Sequence, residues 1–155
     1  FRRVLFRSDF MSKLNELLDM WRQDSIIDRT EPGREITNIP QLHSKYLTIL
    51  SHNRLVLKEI EFKINRLRKL KWLYYTGEMS EEMLKQNGWE PFLGKILKSD
   101  MNTFIDGDED MGALVAKKAM VEQIIENCIS IMKELHSRTF QIKALIEWER
   151  FIQGV

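Results

Sequence analysis

From Pro40 to Tyr75 apolar residues recur at steps of three and four: Leu42, Tyr46, Ile49, Val56, Ile60, Ile64 and Leu67, with one gap at Asn53. That period marks one face of an α-helix. The segment has no glycine and no second proline. Pro40 suits a first helical turn, where its missing amide is not needed, and Gly77 suits the stop, because glycine readily takes the left-handed conformation that ends helices. The pattern predicts a helix about 54 Å long at 1.5 Å per residue. A domain of this size does not need such a rod for its own core, so the helix calls for a partner.

A second long helix is predicted from about 113 to 151. Val121, Ile125, Cys128, Met132, Leu135, Ile142 and Ile146 again step by three and four, with a gap at Thr139. A repeat of this kind builds a coiled-coil seam. Ile124, Ile131, Leu145, Trp148 and Ile152 lie beside it, so the apolar surface is wider than one neighbouring helix covers, which favours homo-oligomerisation. A shorter helix is expected over about 12–22, with Ser12 as its N-cap and Glu16 near its positive end. Residues 24–39 contain Pro32 and Gly33 without a sustained period and read as a loop. Residues 76–112 hold five of the seven glycines; a short helix over 80–86 and an extended stretch over 95–104 are expected there. The fold class is mostly α: long helices forming a helical hairpin or coiled-coil assembly, with an irregular acidic linker and a short extended segment.

The chain has 155 residues, 43% apolar and 30% charged. That composition is too apolar for a disordered tail and too polar for a membrane protein. Residues 1–10, FRRVLFRSDF, precede the first Met and read as a cloning remnant, leaving 11–155 as one helical domain. No apolar run approaches the length of a membrane span. The single Cys128 cannot form an internal disulfide, which suits a reducing cytoplasm.

The formal net charge of +1 conceals segregation. Residues 54–71 carry seven cations and two carboxylates, a net of +5, whereas 76–112 carry three cations and nine carboxylates, a net of −6. Lys63, Arg66, Arg68, Lys69 and Lys71 run without an acidic residue into Trp72, Leu73, Tyr74 and Tyr75. Phosphate-directed charge beside aromatic faces is the composition of a single-strand-binding surface. The other reading stands beside it: cations near a helix C-terminus complement the macrodipole while the aromatics simply pack.

Other chemistry finds little support. Asp106, Asp108 and Asp110 match the first three ligand positions of a calcium loop, but Met111 and Lys117 stand where that loop needs its glycine and its bidentate glutamate. A solvated loop is the default, and no metal or cofactor is expected. Cys128 lies in the apolar stripe as a core residue, and His43, His52 and His136 lack the spacing of a zinc site. No phosphate loop, nucleophile elbow or carboxylate pair suggests an enzyme. Asn53 at a seam position reads equally as a register-setting polar residue or as an ordinary solvated one.

Two segments, LRKLKWLYYTG (67–77) and LHSRTFQIKALIEWERFIQG (135–154), resemble the UvsY recombination mediator proteins of T-even-like phages. The resemblance rests on Tyr74, Tyr75, Thr76 and Gly77 at the end of a basic helix, then on Ser137, Arg138, Phe140, Ile142, Lys143, Arg150 and Phe151. The order and spacing of the blocks are also similar, over roughly 40–154. The resemblance implies a small helical protein that forms a ring of six or seven subunits and binds single-stranded DNA. It also implies that the protein helps a phage RecA-type recombinase displace the phage single-strand DNA-binding protein in the host cytoplasm. The family's paired cations match Lys69 and Lys71; lysine at 71, where arginine is expected, offers a point charge instead of a planar fork. Leu73 replaces an expected acidic residue, and 78–112 match poorly.

The expected DNA surface is therefore Lys63, Arg66, Arg68, Lys69, Lys71, Tyr74 and Tyr75. The expected oligomer surface is Met132, Leu135, Phe140, Ile142, Ile146 and Phe151. A function of another class, a non-catalytic coiled-coil adaptor whose basic helix docks an acidic protein face, accounts for the same charge pattern.

Overall fold

The computed structural model describes the backbone of residues 2–154 and the side chains of 11–154. The described residues form five helices: α1 (Arg2–Asp24), α2 (Pro32–Thr76), α3 (Glu81–Asn87), α4 (Met101–Asp106) and α5 (Glu109–Gln153). Among the described residues there is no strand, and the mostly helical class is observed. The side chains of 1–10 lie outside the described set, so reading that segment as a remnant gains no structural account.

Four boundaries depart from expectation. Helix α1 begins at Arg2, so Ser12 does not cap it; Ser12 lies in mid-helix and its hydroxyl donates to Glu16 at 3.1 Å. Helix α2 begins at Pro32, not Pro40. Pro32 takes the first-turn position, whereas Pro40 sits inside the helix, where proline removes one backbone hydrogen bond. A carboxylate in that opening stretch, Glu35, is held from outside by Arg138, which offsets the defect. The expected extended stretch 95–104 ends in helix α4 instead, with the remainder irregular. Helix α5 starts at Glu109 because Asp108 caps it: one Asp108 carboxylate oxygen accepts from the backbone amides of Asp110 at 3.0 Å and Met111 at 3.2 Å.

Two other ends form as the residues require. Gly77 takes φ +75°, and the amide of Glu78 donates to the Leu73 carbonyl at 3.0 Å, closing α2 in a Schellman turn. Ser80 caps α3 by accepting from the Met83 amide.

The chain divides into two compact units, one of 1–56 with 120–155 and one of 57–119. In the first, α1 and the parts of α2 and α5 that belong to it bury Leu17, Leu42, Tyr46, Leu50, Val121, Ile124, Ile125, Cys128, Ile131, Leu135 and Ile142. The stripe read from the sequence is thus the core. Ile124 and Ile131, the flanking residues that suggested an intersubunit surface, are buried inside this unit, because α1 shares the α5 surface with α2. Cys128 is a core thiol whose pKa burial pushes up. Asn53 is half-buried and donates to the Ile49 carbonyl of its own helix at 2.8 Å, a role neither sequence reading anticipated.

One polar group penetrates this core. Arg138 is 3% exposed and occupies the place where the α5 stripe falters, next to Thr139. Its guanidinium donates to the carbonyls of Asp24 at 2.6 Å and Ile26 at 2.9 Å and to the Glu35 carboxylate at 2.8 Å. It therefore ties the end of α1, the following turn and the start of α2 to α5. Asp24 in turn accepts from Lys45 at 2.7 Å and from the Tyr46 hydroxyl at 2.8 Å. Burial works against its charge, but these hydrogen bonds, together with the charges of Lys45 and Arg138, hold its carboxyl below the usual range. Tyr46 stands edge-on to Trp21 at 5.7 Å.

Breaking a buried pair from one side strands the other partner, at about 3–5 kcal/mol. Arg138→Leu is expected to lower the melting temperature by about 10 °C, against about 3 °C or less for Lys45→Ala on the outer side of Asp24. Thermal denaturation followed by circular dichroism checks this, and equal melting of the two variants would remove Arg138 from its structural role.

Candidate nucleic-acid interface

The second unit builds its core from Met101, Ile105 and Met111, against which Ile64, Leu67, Tyr75 and Ile96 pack. The part of α2 in this unit thus turns Ile64 and Leu67 inward, and the cations around them fall into different environments. Lys63 is exposed and paired with Glu59 one turn earlier in its own helix. Arg66 and Lys69 are exposed, and among the described residues neither has a carboxylate within ion-pair distance.

Arg68 and Lys71 are committed to the acidic segment. Arg68 reaches Asp106 at 2.8 Å. Lys71 is 5% exposed, with its ammonium 2.7 Å from Asp108 and 3.5 Å from Asp110. The face of Trp89 covers that ammonium at 4.0 Å, a cation–π contact that supports a desolvated cation. Asp108 therefore does two things at once: it caps α5 and neutralises Lys71. Burial opposes its ionisation, but the hydrogen bond from Lys71, the amides of Met111 and Asp110 and the Lys71 charge hold its carboxyl below the usual range.

Tyr74 and Tyr75 are packed. Tyr74 meets Tyr75 and Trp89 edge-on, each at 5.2 Å, and Phe92 at 5.7 Å. Tyr75 meets Phe92 at 5.2 Å and Phe104 at 6.1 Å. Burial, aided by the nearby Asp108 charge, raises the Tyr75 hydroxyl pKa. These rings are half-buried in an aromatic cluster, which is the packing alternative read from the sequence. The exposed rings of this helix are instead Phe62 and Trp72. Phe62 lies just before the dense run of cations from Lys63 and off the apolar stripe, and that off-stripe position was the one signal of it in the sequence.

The three aspartates considered for calcium are thus directed at Arg68 and Lys71. Among the described residues no group of three or more potential metal ligands comes together.

The expected oligomer residues also separate. Leu135 and Ile142 belong to the core of the first unit, at 1% and 0% exposure, so they are not available to a second copy. Met132 and Ile146 are half-buried. Phe140 and Phe151 are largely exposed, as are Trp148 and Ile152, and Trp148 stacks on Phe151 at 5.9 Å. Among the described residues no helix is long and apolar enough to cross a membrane.

Residues 20–155 match the family described as recombination, repair and ssDNA binding protein UvsY. The recombination protein uvsY of Enterobacteria phage T4 is 24% identical over 142 residues, covering 92% of this chain and 98% of the relative. Crystal structures of the bacteriophage T4 recombination mediator protein UvsY share the fold. Lattice type I superposes with a TM-score of 0.78 at 24% identity, covering 88% of this chain and 98% of that one. Lattice type IV gives 0.79 at 22% identity, over 89% and 98%. The five-helix fold, the basic α2 and the match over most of the length agree: this chain belongs to the UvsY family of recombination, repair and single-stranded-DNA-binding proteins.

Proposed function

We propose that this protein binds single-stranded DNA through the exposed cations of α2. In this reading it acts as a mediator that helps a phage RecA-type recombinase load onto DNA covered by the phage single-strand DNA-binding protein, in the cytoplasm of the infected host. The observation that carries the reading is the exposed pair Arg66 and Lys69, without carboxylate partners among the described residues, on the basic helix of a UvsY-family chain. Lys63 adds a third cation, since an exposed ion pair within one helix contributes little and yields readily. Two phosphate contacts on a single strand contribute about 1.4 to the slope of log affinity against log salt. Arg66→Ala with Lys69→Ala is expected to flatten that slope by about this amount per subunit, in fluorescence anisotropy with an oligo-dT strand. Unchanged affinity at every salt concentration would move the site elsewhere.

In the same reading the acidic segment competes with phosphate. Asp106 holds Arg68, and Asp108 and Asp110 hold Lys71, so a strand contacting these cations first displaces carboxylates. Replacing all three aspartates by Asn removes the charge while an Asn at 108 still caps α5. This variant is expected to bind oligo-dT several-fold more tightly than the parent. Equal or weaker binding would mean that Arg68 and Lys71 are structural only.

We further propose a closed ring of six or seven subunits, in which repeated basic segments bind one strand multivalently. Its apolar contact is assigned to Phe140, Trp148, Phe151 and Ile152, with Met132 and Ile146 at its margin, instead of Leu135 and Ile142. Phe140→Asp with Phe151→Asp is expected to give smaller species in sedimentation velocity with unchanged helicity; an unchanged mass would exclude this surface.

A second reading, a non-catalytic adaptor that docks an acidic protein face, draws on the observation that Arg68 and Lys71 already hold carboxylates. Absence of oligo-dT binding at low salt would leave only the adaptor.

A further inference from the structure

Tyr74 and Tyr75, the stacking groups expected from the sequence, are half-buried: Tyr74 packs on Trp89 and Phe92, and Tyr75 on Phe92 and Phe104. The outer surface of α2 carries a different set. Lys58, Phe62, Asn65, Lys69 and Trp72 follow one another at steps of four, three, four and three, and Arg66 lies beside them. At 3.6 residues per turn these six positions fall within about 120° of the helix circumference. They face away from Ile60, Ile64 and Leu67, which turn inward.

All six are exposed. Phe62 is 68% exposed and Trp72 38%, and among the described residues neither makes a ring–ring contact with another aromatic. Phe62 presents most of its ring to water, and Trp72, partly covered by its neighbours, still presents an open portion. Around them stand Arg66 and Lys69, unpaired among the described residues, and Lys58, engaged by Glu61 in the same helix; the two carboxylates flanking Phe62, Glu59 and Glu61, are themselves paired with lysines. The two rings are ten residues apart, about 15 Å along the axis, with Lys69 and Arg66 between them.

We infer that Phe62 and Trp72 are the base-stacking platforms of this protein, seating unpaired bases of a single strand whose phosphates contact Lys58, Arg66 and Lys69. The proposal rests on the single-strand-binding reading above and specifies the chemistry of that surface. The charge favours this occupant: a polyanion with exposed aromatic faces satisfies both the cations and the rings, whereas an apolar partner helix would leave the cations facing apolar surface. Stacking is tolerant of sequence because every base has a π-face, so binding without strong base preference follows.

The test uses the full chain and three probes: oligo-dT, the same length of abasic deoxyribose-phosphate strand, and a salt series. Phe62→Leu and Trp72→Leu keep an apolar side chain but remove the ring. Each is expected to weaken oligo-dT binding at least about fivefold, with the salt slope unchanged and binding to the abasic strand equal to the parent's. Arg66→Ala with Lys69→Ala should weaken both strands and flatten the slope. If the leucine variants bind oligo-dT like the parent, the stacking proposal fails while single-strand binding stands. If they weaken the abasic strand equally, the rings do not read bases, and the proposal is likewise overturned. A changed sedimentation mass in these variants would assign the face to contact between copies instead. A parent that binds neither strand at low salt removes the underlying functional reading itself.

Discussion

The buried guanidinium of Arg138 is the constraint on which the first unit depends. An unpaired charge in that position would cost several kcal/mol, so the surrounding chain has to supply acceptors. Two of them are backbone carbonyls in the turn that ends α1, and the third is Glu35 in the opening turns of α2. This explains why α2 begins eight residues before Pro40 and continues through it. The defect at Pro40 costs one backbone bond, and the anchored turns before it are held by a charge-assisted one. A residue that matched a family motif in the sequence is thereby a structural clamp.

The second unit applies the same rule at the other end of α2. Lys71 is buried only because Asp108, Asp110 and the Trp89 face take up its charge. Asp108 meets that demand and the capping demand of α5 with its two oxygens. The −6 segment is therefore not a loose solvated loop: it forms two short helices, and three of its carboxylates pair with cations of the basic helix. Three carboxylates of the acidic segment pair with Arg68 and Lys71, while Arg66 and Lys69 stay exposed without carboxylate partners among the described residues.

Much of this was legible in the residues. The inward positions of α2 and α5 follow from a three-and-four period, since only one face of a helix can be buried against neighbours. Gly77 and Ser80 announced their caps through conformational freedom and a short hydroxyl side chain. The candidate site was legible as a basic and aromatic segment, but its division was not. Composition cannot tell that Lys71 points inward and Lys69 outward, because two residues on a helix are separated by about 200°. Nor can it tell that Tyr74 finds Phe92 and that Tyr75 finds Phe92 and Phe104, contacts that span 17 to 29 residues of chain.

The sequence by itself determined the helical class, the two long amphipathic rods, the core stripe and the opposed charge poles, because each of these depends on local spacing and residue type alone. The tertiary structure decided which apolar residues serve the core of the first unit. Leu135 and Ile142 went inside because α1 and α2 together cover the wide face of α5, while Phe140 and Phe151 stayed out. It also decided which cations remain free, because ion pairing is set by distance in space: Asp106 and Asp108 reach Arg68 and Lys71 across more than thirty residues of chain, and no count of charges along a sequence contains that distance.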